Sequence, residues 1–352
     1  MAEFQTPPPV PPAAPTGTWI VQPAPRKASW LVRMGKGLLA MLFILSIIIN
    51  IELLVLLFGT GEGLSTQTLR QGKADQVVAL YEVEGMIDDV AAENFRRFYR
   101  AVGQDKNIKA VVLRVNSPGG GVAASDEIYH MVSLIAQKSE TPVIVSMGGV
   151  AASGGYYISA PGDTIFAEPG TVTGSIGVIA VWPVVKDLLS RNGIEVVTIR
   201  SQAAQRWKAK ENFWETPEPR ARQEVQDMLD VMQEKFERAV RDGRVDKLKV
   251  KTIQVAGQGG AAPLVEVEPF NGRVYVAERA VELGLVDEIG YLDDAIEAAI
   301  GKADLGEPKV VRYSRHESVL EAFGAAVPAA PINAKLLDEL MTPRVMMMWK
   351  VQ

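Results

Sequence analysis

The chain has 352 residues, 47% of them hydrophobic and 22% charged, with no Cys and only two His, His130 and His316. Without Cys there is no disulfide framework, no thiolate nucleophile and no Cys-ligated metal, and two isolated His make no HExxH-type cluster. No metal or cofactor is therefore expected, and covalent catalysis falls to Ser, Thr, Lys or a carboxylate. A formal net charge of −5 argues against nucleic-acid binding, which needs a concentrated basic face.

The first 25 residues hold eight Pro, whose fixed φ and missing N–H groups prevent helix or central strand. Residues 1–37 read as a disordered, Pro-rich cytoplasmic tail. From Leu38 to Phe58 every position is apolar except Ser46, Asn50 and Glu52. As a helix this stretch reaches about 31 Å, the hydrocarbon thickness of a bilayer. Arg26, Lys27, Arg33 and Lys36 precede it while Arg70 and Lys73 follow, a bias that puts the N-terminus inside. The expected arrangement is a single-pass protein of the cytoplasmic membrane, in contact with lipid, whose remaining bulk lies on the outer face. Glu52 within the span is costly unless it is protonated or paired with another helix.

Residues 59–74 read as a linker. From about residue 75, apolar strand-like runs alternate with helical patterns: VVALYEVEGMI, a helix through Asn94 to Val102, IKAVVLRVN, a helix through Ala124 to Gln137, then TPVIVSMG. DTIFAEPG, SIGVIAV and IEVVTIR continue the strands, and a long amphipathic helix covers about Glu218 to Asp242. Such alternation implies repeated βαβ units around a mainly parallel sheet, an α/β fold.

Two Gly-rich segments follow strands in this series. Asn116-Ser117-Pro118-Gly119-Gly120-Gly121 would let backbone N–H groups approach an anionic oxygen, although a plain tight turn would use the same residues. It has neither GxGxxG nor GxxxxGK[ST], so nucleotide phosphate is a poor candidate ligand. In Gly148-Gly149-Val150-Ala151-Ala152-Ser153-Gly154-Gly155, Ser153 falls at a strand-to-helix junction among residues too small to shield its hydroxyl, which suits a nucleophile. Close helix–sheet packing would also select small residues there. For a base, His130 sits in a helix and belongs on its surface, and His316 lies amid charge in RYSRHES. Lys208, in Arg206-Trp207-Lys208-Ala209-Lys210-Glu211 with Phe213 and Trp214 beyond, has aromatic neighbours that disfavour a charged ammonium, as a Lys base requires.

These pieces, NSPGGGV, GGVAASGGYY, TVTGSIGVI, WKAKENFW and GRVYVAERAVELGLVDEIG, resemble in order and spacing the signal peptide peptidase A family in its short bacterial form. The resemblance implies a ClpP/crotonase-like fold over residues 75–314, with Ser153 as nucleophile and Lys208 as general base. It implies oxyanion donors from Gly119 or Gly120 and from Gly154, and Ser175 bonded to the Lys amine. It further implies hydrophobic peptide substrates such as released signal peptides, and a ring-like homo-oligomer. The family usually has Tyr-Lys followed by small residues; W-K-A-K here leaves Lys210 as an alternative base. The stretch 248–270 is longer and more apolar than the family's link, either a surface hairpin or a tolerated insertion. Residues 315–352 form a C-terminal extension whose TPRVMMMW resembles the family's closing strand. Competing readings are an inactive scaffold of the same fold and an acyl-CoA enzyme with similar oxyanion geometry.

Overall fold

The computed structural model describes residues 30–58, 64–138, 141–181, 184–199, 201–204, 217–255, 264–315 and 344–348. The chain divides into two compact units, Met1–Gly59 and Thr60–Gln352. In the first, α1 (Trp30–Phe58) is a 29-residue helix. Its Met34–Leu53 window has a mean hydropathy of 2.1 and buries nothing within the protein, so by length and composition it can cross a membrane. Asn50 donates to the Ser46 carbonyl at 2.7 Å, one turn back, which satisfies a polar side chain inside the apolar run.

The second unit opens with β1 (Leu64–Arg70), β2 (Lys73–Glu84), α2 (Asp89–Gln104), β3 (Ile108–Ser117), β4 (Gly119–Gly121), α3 (Val122–Lys138), β5 (Val143–Ala152) and α4 (Gly154–Ser159). Next come β6 (Thr164–Ala167), β7 (Val172–Gly174), β8 (Ile179–Val181), α5 (Lys186–Arg191) and α6 (Pro219–Gly243). The series closes with β9 (Lys251–Val255), β10 (Leu264–Glu268), β11 (Val274–Val276), α7 (Ala277–Glu282), β12 (Glu288–Ile289), α8 (Leu292–Lys302), β13 (Pro308–Arg315) and β14 (Arg344–Met348).

The main sheet has the order β1-β13-β2-β3-β5-β6-β12. Every neighbour from β13 to β12 is parallel; β1 runs antiparallel at the edge. The distal half of β5 also pairs in parallel with β7, which takes β11 antiparallel on its other side. This is the α/β architecture that the strand–helix alternation predicts.

Side chains leave the central strands alternately, as a strand's period of two demands. Val78, Leu80, Ala110, Val112 and Ile144 join Ala295, Ile296 and Ala299 of α8 in one apolar cluster. Their neighbours Ala79, Tyr81, Val111, Leu113, Val143 and Val145 belong to a larger cluster with α2, α3 and α4. Burial on both faces explains why these strands read as continuous apolar runs. The helix expected over Asn94 to Val102 starts earlier, because Asp88 caps it by accepting from the Ala91 N–H at 2.9 Å. Its Phe95 and Phe98 lock onto the sheet through Tyr81, whose ring stacks on Phe98 at 4.7 Å.

Three expectations need revision or completion. IEVVTIR forms no strand over 194–199; Ile194, Val197 and Ile199 are exposed, Ile199 by 91%. A β-prone sequence becomes a strand only against a partner, and none pairs with it among the described residues. The supposed linker 59–74 contributes β1 and the start of β2, because Leu64–Arg70 finds the edge of β13. The 248–270 stretch contains an antiparallel hairpin, β9 with β10, from Leu264 opposite Val255 to Glu268 opposite Lys251.

One buried ionic group fastens the end of α6 to the sheet. Arg244 is 1% exposed and donates bidentately to Asp287 at 2.8 Å through both terminal nitrogens, and to the Gly284 carbonyl at 2.9 Å. Burial would raise the Asp287 carboxyl; hydrogen bonding and charge from Arg244 outweigh it and hold that group below the ordinary carboxylate value.

Candidate active site

β5 ends at Ala152, and the chain turns into the short helix α4 through Ser153, whose φ of 54° and ψ of −117° no ordinary L residue prefers. Surrounding bonds hold the strain: the Ser153 N–H donates to the Gly174 carbonyl at 2.8 Å, and its carbonyl accepts from the Tyr157 N–H at 2.8 Å. The hydroxyl donates to the Gly177 carbonyl at a long 3.5 Å, and the residue is fully buried.

The two Gly-rich segments meet here. A β-carbon on Gly154 would lie 3.2 Å from the Gly119 Cα, 3.2 Å from the Gly120 amide nitrogen and 2.5 Å from Ser125 Oγ. One on Gly119, whose φ is +100°, would lie 2.7 Å from the Gly154 amide nitrogen. One on Gly120 would fall 2.0 Å from the Ile87 carbonyl oxygen. Only glycine permits this approach, so the backbones of the two segments meet next to Ser153, with Ser125 Oγ beside them. The Gly119 N–H donates to Ser117 Oγ at 3.1 Å, and that hydroxyl in turn donates to the Gly85 carbonyl at 2.5 Å.

Ser175 also takes a left-handed conformation, φ 50°, with its N–H donated to the Arg273 carbonyl at 2.7 Å. It borders a cavity of about 430 Å³ lined by Gly177, Gln233, Glu237, Phe270 and Asn271 among others. The structure therefore brings Ser153, Gly119, Gly120 and Gly154 together at one point, with Ser175 two residues before the carbonyl that holds the Ser153 hydroxyl. Lys208, Lys210, Trp207, Phe213, Trp214 and His316 lie outside the described residues. His130 is exposed on α3, as its helical context predicts.

Sequence reasoning missed two features. The Ser125 hydroxyl is fully buried beside Gly154 without a hydrogen-bond partner, and nothing in VAASDEIY signals it. In addition, β14 does more than close the chain: it inserts between β4 and β8 in a separate three-stranded sheet, beside the site glycines.

A mainly parallel α/β sheet that carries a strained serine at a strand–helix turn, beside two Gly-rich segments, has the architecture of the Clp-like class of folds. The Clp protease profile matches residues 75–171 and that of peptidase family S49 matches residues 135–306. A candidate signal peptide peptidase SppA of Enterococcus faecium is 31% identical over 268 residues, 73% of this chain and 72% of that protein. Protease 4 of Haemophilus influenzae is 32% identical over 230 residues, 63% of this chain, and the present chain spans only 34% of that relative's length. Among solved structures, 1510-N, a membrane-bound stomatin-specific protease in complex with a substrate peptide, aligns at 16% identity over 72% of this chain and 98% of its own, with a TM-score of 0.37. The chain belongs to peptidase family S49, the SppA family of serine proteases.

Proposed function

We propose that this protein is a membrane-anchored serine endopeptidase that degrades signal peptides released from the membrane and other hydrophobic segments, using Ser153 as nucleophile and Lys208 as general base. The observation that carries this reading is the convergence of Gly119, Gly120 and Gly154 beside a strained Ser153. In the proposed reaction the Lys208 amine takes the proton of the Ser153 hydroxyl as Oγ attacks a peptide carbonyl. The resulting oxyanion accepts from the N–H of Gly154 and of Gly119 or Gly120, and the same proton passes to the leaving amine. The cavity beside Ser175 offers room for a lysine side chain, and Ser175 would orient its amine; Lys210 is the alternative base.

The apolar α1 supports anchoring in a bilayer, with residues 1–37 inside and the protease domain, 75–314, on the outer face by the charge bias. The unpaired apolar residues Ile194, Val197 and Ile199 suit contact with a second copy in a ring. Three single substitutions test the chemistry. Ser153→Ala and Lys208→Ala should each abolish hydrolysis of an apolar peptide while the melting transition persists, whereas Lys210→Ala should retain it. Full activity in Ser153→Ala would sink the nucleophile assignment, whereas a wild type without hydrolysis whose partner binding persists in Ser153→Ala would leave a scaffold as the reading. Activity lost in Lys210→Ala and kept in Lys208→Ala would transfer the base to Lys210.

A further inference from the structure

A buried hydroxyl normally finds a partner, because one left alone forfeits the hydrogen bonds that water would have given it. Ser159 of α4 does so by donating to the Gly155 carbonyl one turn back, at 2.7 Å. Ser125, in the first turn of α3, does not: it is 0% exposed, and its Oγ has no hydrogen-bond partner among the described residues. Packing alone does not call for that oxygen, since Ala124 fills the neighbouring buried position without one. Its place is specific. The point where a β-carbon on Gly154 would stand is 2.5 Å from Ser125 Oγ and 3.2 Å from the Gly120 amide nitrogen. Covalent geometry puts the Gly154 amide nitrogen about 2.5 Å from the same point. A hydroxyl without a partner and two amide nitrogens thus gather around one point, at the residue that follows Ser153.

We propose that Ser125 is a further catalytic residue, a hydroxyl donor to the oxyanion that forms when Ser153 attacks a peptide carbonyl. The proposal rests on the reading of Ser153 as nucleophile. As Ser153 Oγ bonds to the carbonyl carbon, the π pair of the C=O moves onto its oxygen, and the Ser125 O–H donates to that oxygen. The Ser125 proton stays on Ser125 throughout. When the C–N bond breaks, the pair returns to the carbonyl and the donated bond weakens again. A donor already bonded in the free enzyme would have to give up that bond to help. One kept without a partner gains its bond as the charge develops, which lowers the barrier without tightening substrate binding. Its place in the first turn of α3 acts in the same sense, because a helix N-terminus favours negative charge nearby.

The test compares the full chain in detergent as wild type, Ser125→Ala and Ser153→Ala, with hydrolysis of an apolar peptide and inhibition by two analogues of that peptide as readouts. A peptide aldehyde accepts Ser153 Oγ on its carbonyl carbon and so places an oxygen where the oxyanion forms; the matching peptide alcohol does not. Ser125→Ala should lower kcat about a hundredfold with KM unchanged. Its inhibition by the aldehyde should weaken by a similar factor, while inhibition by the alcohol stays at the wild-type level and the melting temperature falls no lower. The ratio of the two inhibition constants is read on the folded chains alone, so it decides the matter even where the substitution costs stability. A Ser125→Ala chain with the wild-type kcat, or one that loses aldehyde and alcohol binding by the same factor, overturns the proposal and leaves Ser153 as nucleophile. Full hydrolysis by Ser153→Ala removes the nucleophile reading and the proposal with it, as does a wild type that hydrolyses no peptide.

Discussion

The amide of Ser153 donates to the carbonyl of Gly174 at 2.8 Å, and this bond ties the turn after β5 to the end of β7. Gly174 has a φ of +83°, and a β-carbon there would lie 2.6 Å from the Tyr275 ring. Gly174→Ala should therefore destabilise the fold by at least about 1–2 kcal/mol, read as a lower melting temperature. Because the shift passes directly into the Ser153 backbone, kcat should fall more than KM rises.

Ser153 itself stores strain at φ 54°. Glycine adopts that conformation freely, so Ser153→Gly should raise stability by about 1 kcal/mol while abolishing peptide hydrolysis. Thermal unfolding of the two chains side by side checks the gain; a Ser153→Gly chain that melts lower than wild type would contradict the strain argument.

Neighbouring glycines should respond very differently to one added methyl. On Gly120 it meets the Ile87 carbonyl oxygen at 2.0 Å, whereas on Gly121 the nearest atom is 3.7 Å away. Gly120→Ala must displace backbone and should cost about 1–3 kcal/mol together with most of the activity. Gly121→Ala should be tolerated in both respects, which makes it the matched control.

Arg244 and Asp287 predict the acid limb of stability. The Asp287 carboxyl is held below its ordinary value by Arg244, so the pair's contribution is complete above the unfolded carboxylate pKa, about 3.9. It is lost as pH falls through the lower folded value. Arg244→Met leaves a half-buried carboxylate without its bidentate partner and should cost about 3 kcal/mol at neutral pH. Its melting temperature should also depend less on pH in the acid range than that of the wild type.

The Ser125 hydroxyl has no partner though fully buried, so Ser125→Ala removes an unsatisfied polar group. Stability should stay level or rise by up to about 1 kcal/mol. A loss larger than that, seen by denaturant unfolding, would mean that the hydroxyl holds a partner in solution.

How much of this was legible in advance follows from the range of the forces involved. Strand and helix alternation through β2, α2, β3, α3 and β5 is written in local hydrophobic period, and burial on both sheet faces keeps those runs apolar. The Ser153 junction and both Gly-rich turns are equally local, since small residues mark where backbone must approach backbone. The scarcity of His likewise favours lysine as the base of the proposed reaction. By contrast, IEVVTIR has the composition of a strand and lacks a neighbour to pair with, and Leu64–Arg70 looks like a linker yet finds the edge of β13. Pairing of that kind joins residues far apart in sequence, as Leu64 with Arg315, so no local window contains it. The same holds for Arg244, whose burial is tolerable only because Asp287 arrives from another element, and for Met347, which resembles a closing strand in sequence. Composition and local pattern determined the class of fold and the serine at its junction. Tertiary packing decided which glycines lie beside that serine and which strand pairs with them.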